Sequence, residues 1–161
     1  MRRRAAATLL YQSQHAEPAF RNLQNLIFLK IVGRILAFYS QALWHKGFRY
    51  RLHVKDLPGK PDIVLPKYKT AIFVNGCFWH GHKGCKDFVI PKSNTSFWLE
   101  KIGKNKNRDE QNITALISAG WKVITIWECE LKKPVIEATL SELLQTLTKS
   151  LVMATIGVLL P

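Results

Sequence analysis

The sequence predicts one α/β domain, and three observations carry that reading. Phe48, Tyr50, Leu52 and Val54 alternate with Arg49, Arg51 and His53, the period of a half-buried strand with a basic outer face. Apolar residues then recur at helical spacing in two long stretches, one running to about Ser118 and one closing the chain, with a strand-like run between them. No internal repeat or low-complexity linker breaks this order, and 161 residues that are 47% apolar and 22% charged suit one folded unit with its own core.

Taken in order, residues 1 to 22 show no firm periodicity and one acid, Glu17. Three arginines and a short apolar run, Ala5 to Leu10, imitate a signal peptide, but the run stops at Tyr11; a transit peptide is the lesser alternative. Leu26 to Tyr39 is apolar yet interrupted by Lys30 and Arg34, and shorter than the ~20 residues of a membrane span. It predicts one or two helical segments ending near Gly47. Prolines and glycine from Asp56 to Pro61 break the following strand. Asp62 to Leu65 and Thr70 to Val74 then form a hairpin. Thr95 or Ser96 caps a helix whose apolar stripe is Leu99, Ile102, Ile113, Leu116 and Ile117, with Gly120 as its stop. Trp121 to Trp127 is a strand, and Ile136 to Leu151 an amphipathic helix. The reading divides the chain into an unassigned segment 1–41, a domain 42–151 and an apolar tail 152–161.

Charge narrows the partners. Against 11 acids stand 24 lysines and arginines, a formal +13 that attracts polyanions and gains from counterion release on phosphates. Nucleic acid leads, with an anionic membrane surface second. Three cysteines are an odd number with no clear secretory signal, which favours a metal site over a disulfide framework and a reducing cytoplasm as the compartment.

The densest chemistry lies in Asn75 to Cys85. Cys77, His82 and Cys85 are spaced Cys-x4-His-x2-Cys, and Cys129 can supply a fourth ligand from the end of the last strand. Three thiolates and an imidazole suit Zn2+ in a closed, structural role; the alternative is a small buried Cys129 and incidental loop cysteines. His80 is outside that set, free to act as a general base or phosphate contact, or else a surface histidine or a substitute ligand for His82. Pro61-Asp62 before a hairpin matches the first half of a carboxylate–lysine nuclease pattern, in which the acid holds Mg2+. The second half is missing at Val74-Asn75-Gly76, and an aspartate alone in that position is more often than not a turn or cap residue. Trp98, Lys101, Asn105 and Arg108 share a helix face with cations for phosphates and an amide for base edges, and Phe78 and Trp79 suit stacking or wedging between bases. A solvated face and core packing are the plainer alternatives.

These residues resemble a known family. Gly59 to Asp62, Gly76 to His80, Phe97 to Asn105 with Arg108 and Asp109, and Gly120 to Cys129 stand in the order seen in the very-short-patch-repair (Vsr) mismatch endonucleases, over about residues 42 to 132. The resemblance implies a restriction-endonuclease-like α/β fold, a mixed central sheet flanked by helices, a structural zinc and a Mg2+-dependent nick beside the T of a T·G mismatch. It implies Asp62 and the Val74 carbonyl as Mg2+ ligands, His80 as the active-site histidine, Asp109 as a supporting acid, and Cys77, His82, Cys85 and Cys129 around zinc. Phe78, Trp79 and Trp98 would wedge into the duplex, with Lys101 and Asn105 on the mispaired bases and Arg108 also on DNA. Double-stranded mismatched DNA is the implied partner, with other mismatch-repair proteins in addition, no membrane, and a monomer. The implied compartment is a bacterial cytoplasm, at the nucleoid.

Two positions depart from the family. Asn75 occupies the catalytic position where the family carries a histidine, and Leu36 falls near its upstream glutamate. Nothing in residues 1 to 41 matches, and a frame-altered gene start is the expectation. The rival functions are a binding module of the same fold that grips distorted DNA without cutting, and a restriction-type nuclease of other site preference.

Overall fold

The structure, a computed structural model, describes residues 33–132 and 135–156, with residues 150–156 described by backbone alone. The readings of residues 1–32 and of the tail beyond 156 lie outside the described residues. No helix among them is long and apolar enough to cross a membrane.

Helix α1 runs through residues 33–45. Gly47 takes a left-handed φ of 82° beyond its end, with Gly47 N–H donating to the Trp44 carbonyl and Phe48 N–H to the Leu43 carbonyl, both at 2.9 Å. That double closure satisfies two end carbonyls that α1 cannot bond internally, and Leu43 and Phe48 both join the core. The core also takes in Ile35, Leu36 and Tyr39. The folded unit therefore begins upstream of residue 42.

Strand β1 is Arg51–Leu52, shorter than the alternation from Phe48 to Val54 suggests. Phe48 is buried, but Leu52 is exposed and His53 adopts φ 50°, which turns the chain out of the extended region. A two-residue edge strand also leaves little unpaired backbone for another chain to join. Strands β2 (Ile63–Leu65) and β3 (Thr70–Asn75) form the expected hairpin, joined by a 3-10 turn over Pro66–Tyr68. Strand β4 (Lys122–Trp127) pairs with β3 in parallel, Asn75 opposite Trp127. The sheet is mixed, in the order β1-β2-β3-β4.

Helix α2 (Thr95–Ser118) makes the crossover from β3 to β4. Its bounds match the sequence reading, but its cap does not. Asn94 precedes the helix in a left-handed conformation, and the Thr95 hydroxyl donates back to the Pro91 and Lys92 carbonyls instead of capping. The stripe is also rotated: Leu99 and Ile117 face solvent, whereas Trp98, Ile102 and Leu116 are buried. Between those apolar ends the inner face carries Asn105, Asp109 and Asn112, all half-buried. Steps of three and four put all six on one side. The stripe was misread because its middle is polar.

Helix α3 (Ile136–Ile156) buries Leu143 and Leu147 in the same core as α1 and the sheet. It continues past residue 151, where the sequence reading ended the domain.

Candidate active site and metal centre

The β3–β4 register sets where the chemistry lies. Parallel strands ending together at Asn75 and Trp127 release the loop 76–85 and the Glu128–Leu131 turn from adjacent points. Cys129 in that turn thereby meets the loop. The Sγ atoms of Cys77 and Cys129 stand 3.5 and 3.4 Å from His82 Nδ1, and the four donor atoms of Cys77, His82, Cys85 and Cys129 all lie within 4.8 Å of one another. This cluster could hold a metal ion. Metal–sulfur and metal–nitrogen bonds of about 2.3 and 2.0–2.1 Å at a tetrahedral angle would set such donors roughly 3.5 Å apart. The observed edges fit.

The surroundings orient these ligands. The His82 ring stacks on Trp127, centroids 4.0 Å apart and 3° from parallel. Glu128 accepts the Cys77 N–H at 3.3 Å. Burial raises the thiol pKa of Cys77 and of Cys129, so thiolates here need a compensating charge, which a bound dication supplies.

On the other side of the loop lies an open cleft of about 560 Å³, lined by Asp62, Val74, Asn75, His80, Arg108 and Asp109 among others. Asp62 sits just before β2, where β3 has outrun its partner: β2 pairs β3 only as far as Ile72. The orphaned Val74 N–H therefore donates to Asp62 Oδ2 at 2.7 Å. In a strand the N–H and C=O of one residue leave on the same edge. The Val74 carbonyl thus projects on the Asp62 side of β3. Burial raises the Asp62 pKa above the usual carboxylate range, and the Val74 N–H and the charges of His53 and His80 lower it in part.

His80 enters the cleft from the loop, its Nδ1 hydrogen-bonded to Asp109 Oδ2 on α2. Since a carboxylate only accepts, Nδ1 is the donor in this bond, and a neutral His80 so held carries its lone pair on Nε2. One turn earlier on α2, Asn105 Nδ2 donates to the Trp79 carbonyl at 3.0 Å. Phe78 and Trp79 are half-buried and meet edge to face, while Trp98 is 3% exposed and packs beneath both. Lys101 and Arg108 are exposed on α2.

The cleft thus gathers Asp62, Val74, Asn75, His80, Asp109 and Arg108, and the cluster gathers the four thiol and imidazole residues. Phe78, Trp79, Trp98 and Lys101 are not among the cleft's lining residues. Leu36 is likewise absent from that lining and lies in the core, 6% exposed. Lys55, Lys60, Asn112 and Thr125 line the cleft as well, and the sequence reading gave them no role. Asn112 had a signal, since it stands three residues after Asp109 on the same helix face.

Comparison with known proteins places the chain in a family. The profile of a family described as DNA mismatch endonuclease Vsr matches residues 35–87. The type II nicking enzyme V.XorIIP of Xanthomonas oryzae pv. oryzae is 50% identical over 92 residues, 56% of this chain and 67% of that protein. The chain belongs to the Vsr family. A second Vsr relative, the type II nicking enzyme V.NmeAIP of Neisseria meningitidis, is 60% identical over 94 residues, 58% of this chain and 66% of that protein. The DNA mismatch endonuclease Vsr of Escherichia coli is 45% identical over 93 residues, 58% of this chain and 59% of that protein. The chain spans about two thirds or less of the length of these Vsr relatives.

Proposed function

We propose that this protein is a DNA endonuclease that nicks one strand beside the T of a T·G mismatch, in a restriction-endonuclease-like fold stapled by Zn2+. The observation that carries the reading is the His80–Asp109 pair facing Asp62 across one open cleft, in a chain of the Vsr family. Double-stranded DNA suits the +13 charge, and relatives named as nicking enzymes favour a cut in one strand. Soft thiolates with one imidazole favour Zn2+ for the cluster, and its four filled positions leave none for catalysis.

The cleft offers hard oxygen donors, the Asp62 carboxylate and the Val74 carbonyl, which suit Mg2+. Mg2+ bound there would supply positive charge to the phosphate being cut. The protein's own residues do the rest. His80 Nε2 takes a proton from water as its oxygen bonds to phosphorus; the phosphorus–oxygen bond to the leaving sugar breaks, and that oxygen acquires a proton from solvent. Asp109 holds the imidazole in the right tautomer and stabilises the cation that forms. Phe78 and Trp79 present rings to the duplex, Trp98 braces them from behind, and Lys101, Asn105 and Arg108 meet DNA along α2.

A second reading, binding of distorted DNA without cutting, is favoured by Asn75 in the cleft and by Leu36 in the core. Incubation of the protein and Mg2+ with an end-labelled T·G duplex separates the two. The expected result is one nick beside the T, lost by about 10³-fold in Asp62→Ala with binding retained. Binding with no nick at protein excess gives the decision to the second reading, and equal nicking of fully paired DNA gives it to a restriction-type nuclease.

A further inference from the structure

Lys60 is a lysine in a backbone conformation that suits glycine. Its φ is 53°, directly after Gly59 at 73°, and its N–H donates to the Leu57 carbonyl at 3.0 Å. The turn has no room to relax, because a Cβ on Gly59 would stand 3.0 Å from Asn112 Cβ and 3.1 Å from the Phe73 ring. Buried Pro61 follows, then Asp62. A left-handed non-glycine residue is disfavoured, and lysine gains nothing there from its backbone. Lys60 lines the cleft that holds Asp62, His80 and Asp109.

Position, not conformation alone, gives this weight. Lys69 is also left-handed, but it closes a hairpin turn and its ammonium points toward Gly120, outside the cleft lining. Lys55 and Lys60 form no ion pair among the described residues. Asp109 is occupied by His80. Two lysines with no ion pair among the described residues thus line the cleft, in a chain whose Val74-Asn75-Gly76 lacks the lysine of the carboxylate–lysine nuclease pattern.

We propose that Lys60 binds the phosphate to be cut, placing its ammonium on a non-bridging oxygen and serving from the turn before Asp62 as that missing lysine serves from the second strand. Charge on those oxygens grows as water adds to phosphorus, and a fixed cation in the cleft stabilises it. Lys55 then faces a neighbouring phosphate. The inference rests on the strand-cutting reading of the cleft.

Lys60→Gly removes the ammonium and relieves the backbone, and Lys60→Arg keeps a cation. Two readouts on the T·G duplex are needed: binding against salt concentration without divalent ions, and single-turnover nicking with Mg2+. Lys60→Gly should melt at or above the wild-type temperature, nick about 10²-fold more slowly, and lose about one unit from the slope of log affinity against log salt. Lys60→Arg should keep the slope and recover to within about tenfold of the wild-type rate. Wild-type nicking and slope in Lys60→Gly overturn the proposal, as does a lower slope with an unchanged rate, which puts Lys60 on another phosphate. If the wild-type protein itself does not nick, the strand-cutting reading fails separately. The slope then decides: a loss of one unit supports the phosphate contact, and no loss overturns it.

Discussion

His80 and His82 are two residues apart in one loop, yet they serve opposite kinds of site. His82 is clamped flat on Trp127 with Nδ1 turned toward two thiols, in a cluster whose donors come from the loop and the turn after β4. His80 is held at one nitrogen by Asp109 and leaves the other toward an open cleft assembled from the turn before β2, the end of β3, the loop and α2. A closed set of soft donors suits the proposed staple. An open set of oxygen and nitrogen atoms, each only partly engaged, makes a place where something else can bind and react.

The sharpest way to break the comparison is to remove each histidine in turn. His80→Ala is expected to lower nicking of a T·G duplex by about 10³-fold, roughly 4 kcal/mol of barrier, with metal content and melting temperature near wild type. Equal damage to metal content would mean that the two sites are one. Cys129→Ala should do the reverse. On the proposed staple, loss of one thiolate unties the loop from the sheet, and we expect metal by elemental analysis to fall well below one equivalent and melting to drop by about 10 °C, corresponding to roughly 3 kcal/mol. Unchanged melting would leave the cluster without a structural role.

The smallest effect tests the cost of openness. Burial raises the folded-state pKa of Asp62 above its unfolded value, so its contribution to stability is present at low pH and is lost as pH rises from the ordinary carboxylate range through the raised value. Without divalent ions, Asp62→Asn should therefore melt higher than wild type near pH 7, and the gap should close toward pH 4. A gap independent of pH would mean that the cause is not the carboxylate charge. Excess Mg2+ should raise the melting of wild type and leave Asp62→Asn nearly unmoved.

Much of this was legible in the sequence where one local rule decides the outcome. Gly47 ended α1, the β-branched runs gave the hairpin, and thiol spacing assembled the cluster before any fold was known. The errors fall where tertiary context overrides local pattern. Leu99 and Ile117 looked like core because α2 was expected to bury only apolar side chains; its inner face instead turns Asn105, Asp109 and Asn112 toward the loop and cleft. Lys60 stands inside the motif Gly59 to Asp62, but its value depends on a left-handed turn and on a cleft formed by distant elements. No spacing in the chain encodes that. Trp98 shared a helix face with Lys101 in the sequence, and the fold separates them by turning the indole inward.

One feature of α2 reaches beyond the two sites. Asn105 and Asp109, a single helical turn apart, grip the consecutive loop residues Trp79 and His80, the first by its carbonyl and the second by its imidazole. Two pins in adjacent links leave no pivot between them. Any load on the Trp79 backbone passes to the imidazole as a small displacement of the whole link, and the helix, fixed at its apolar ends by Trp98 and Leu116, is the beam that resists it.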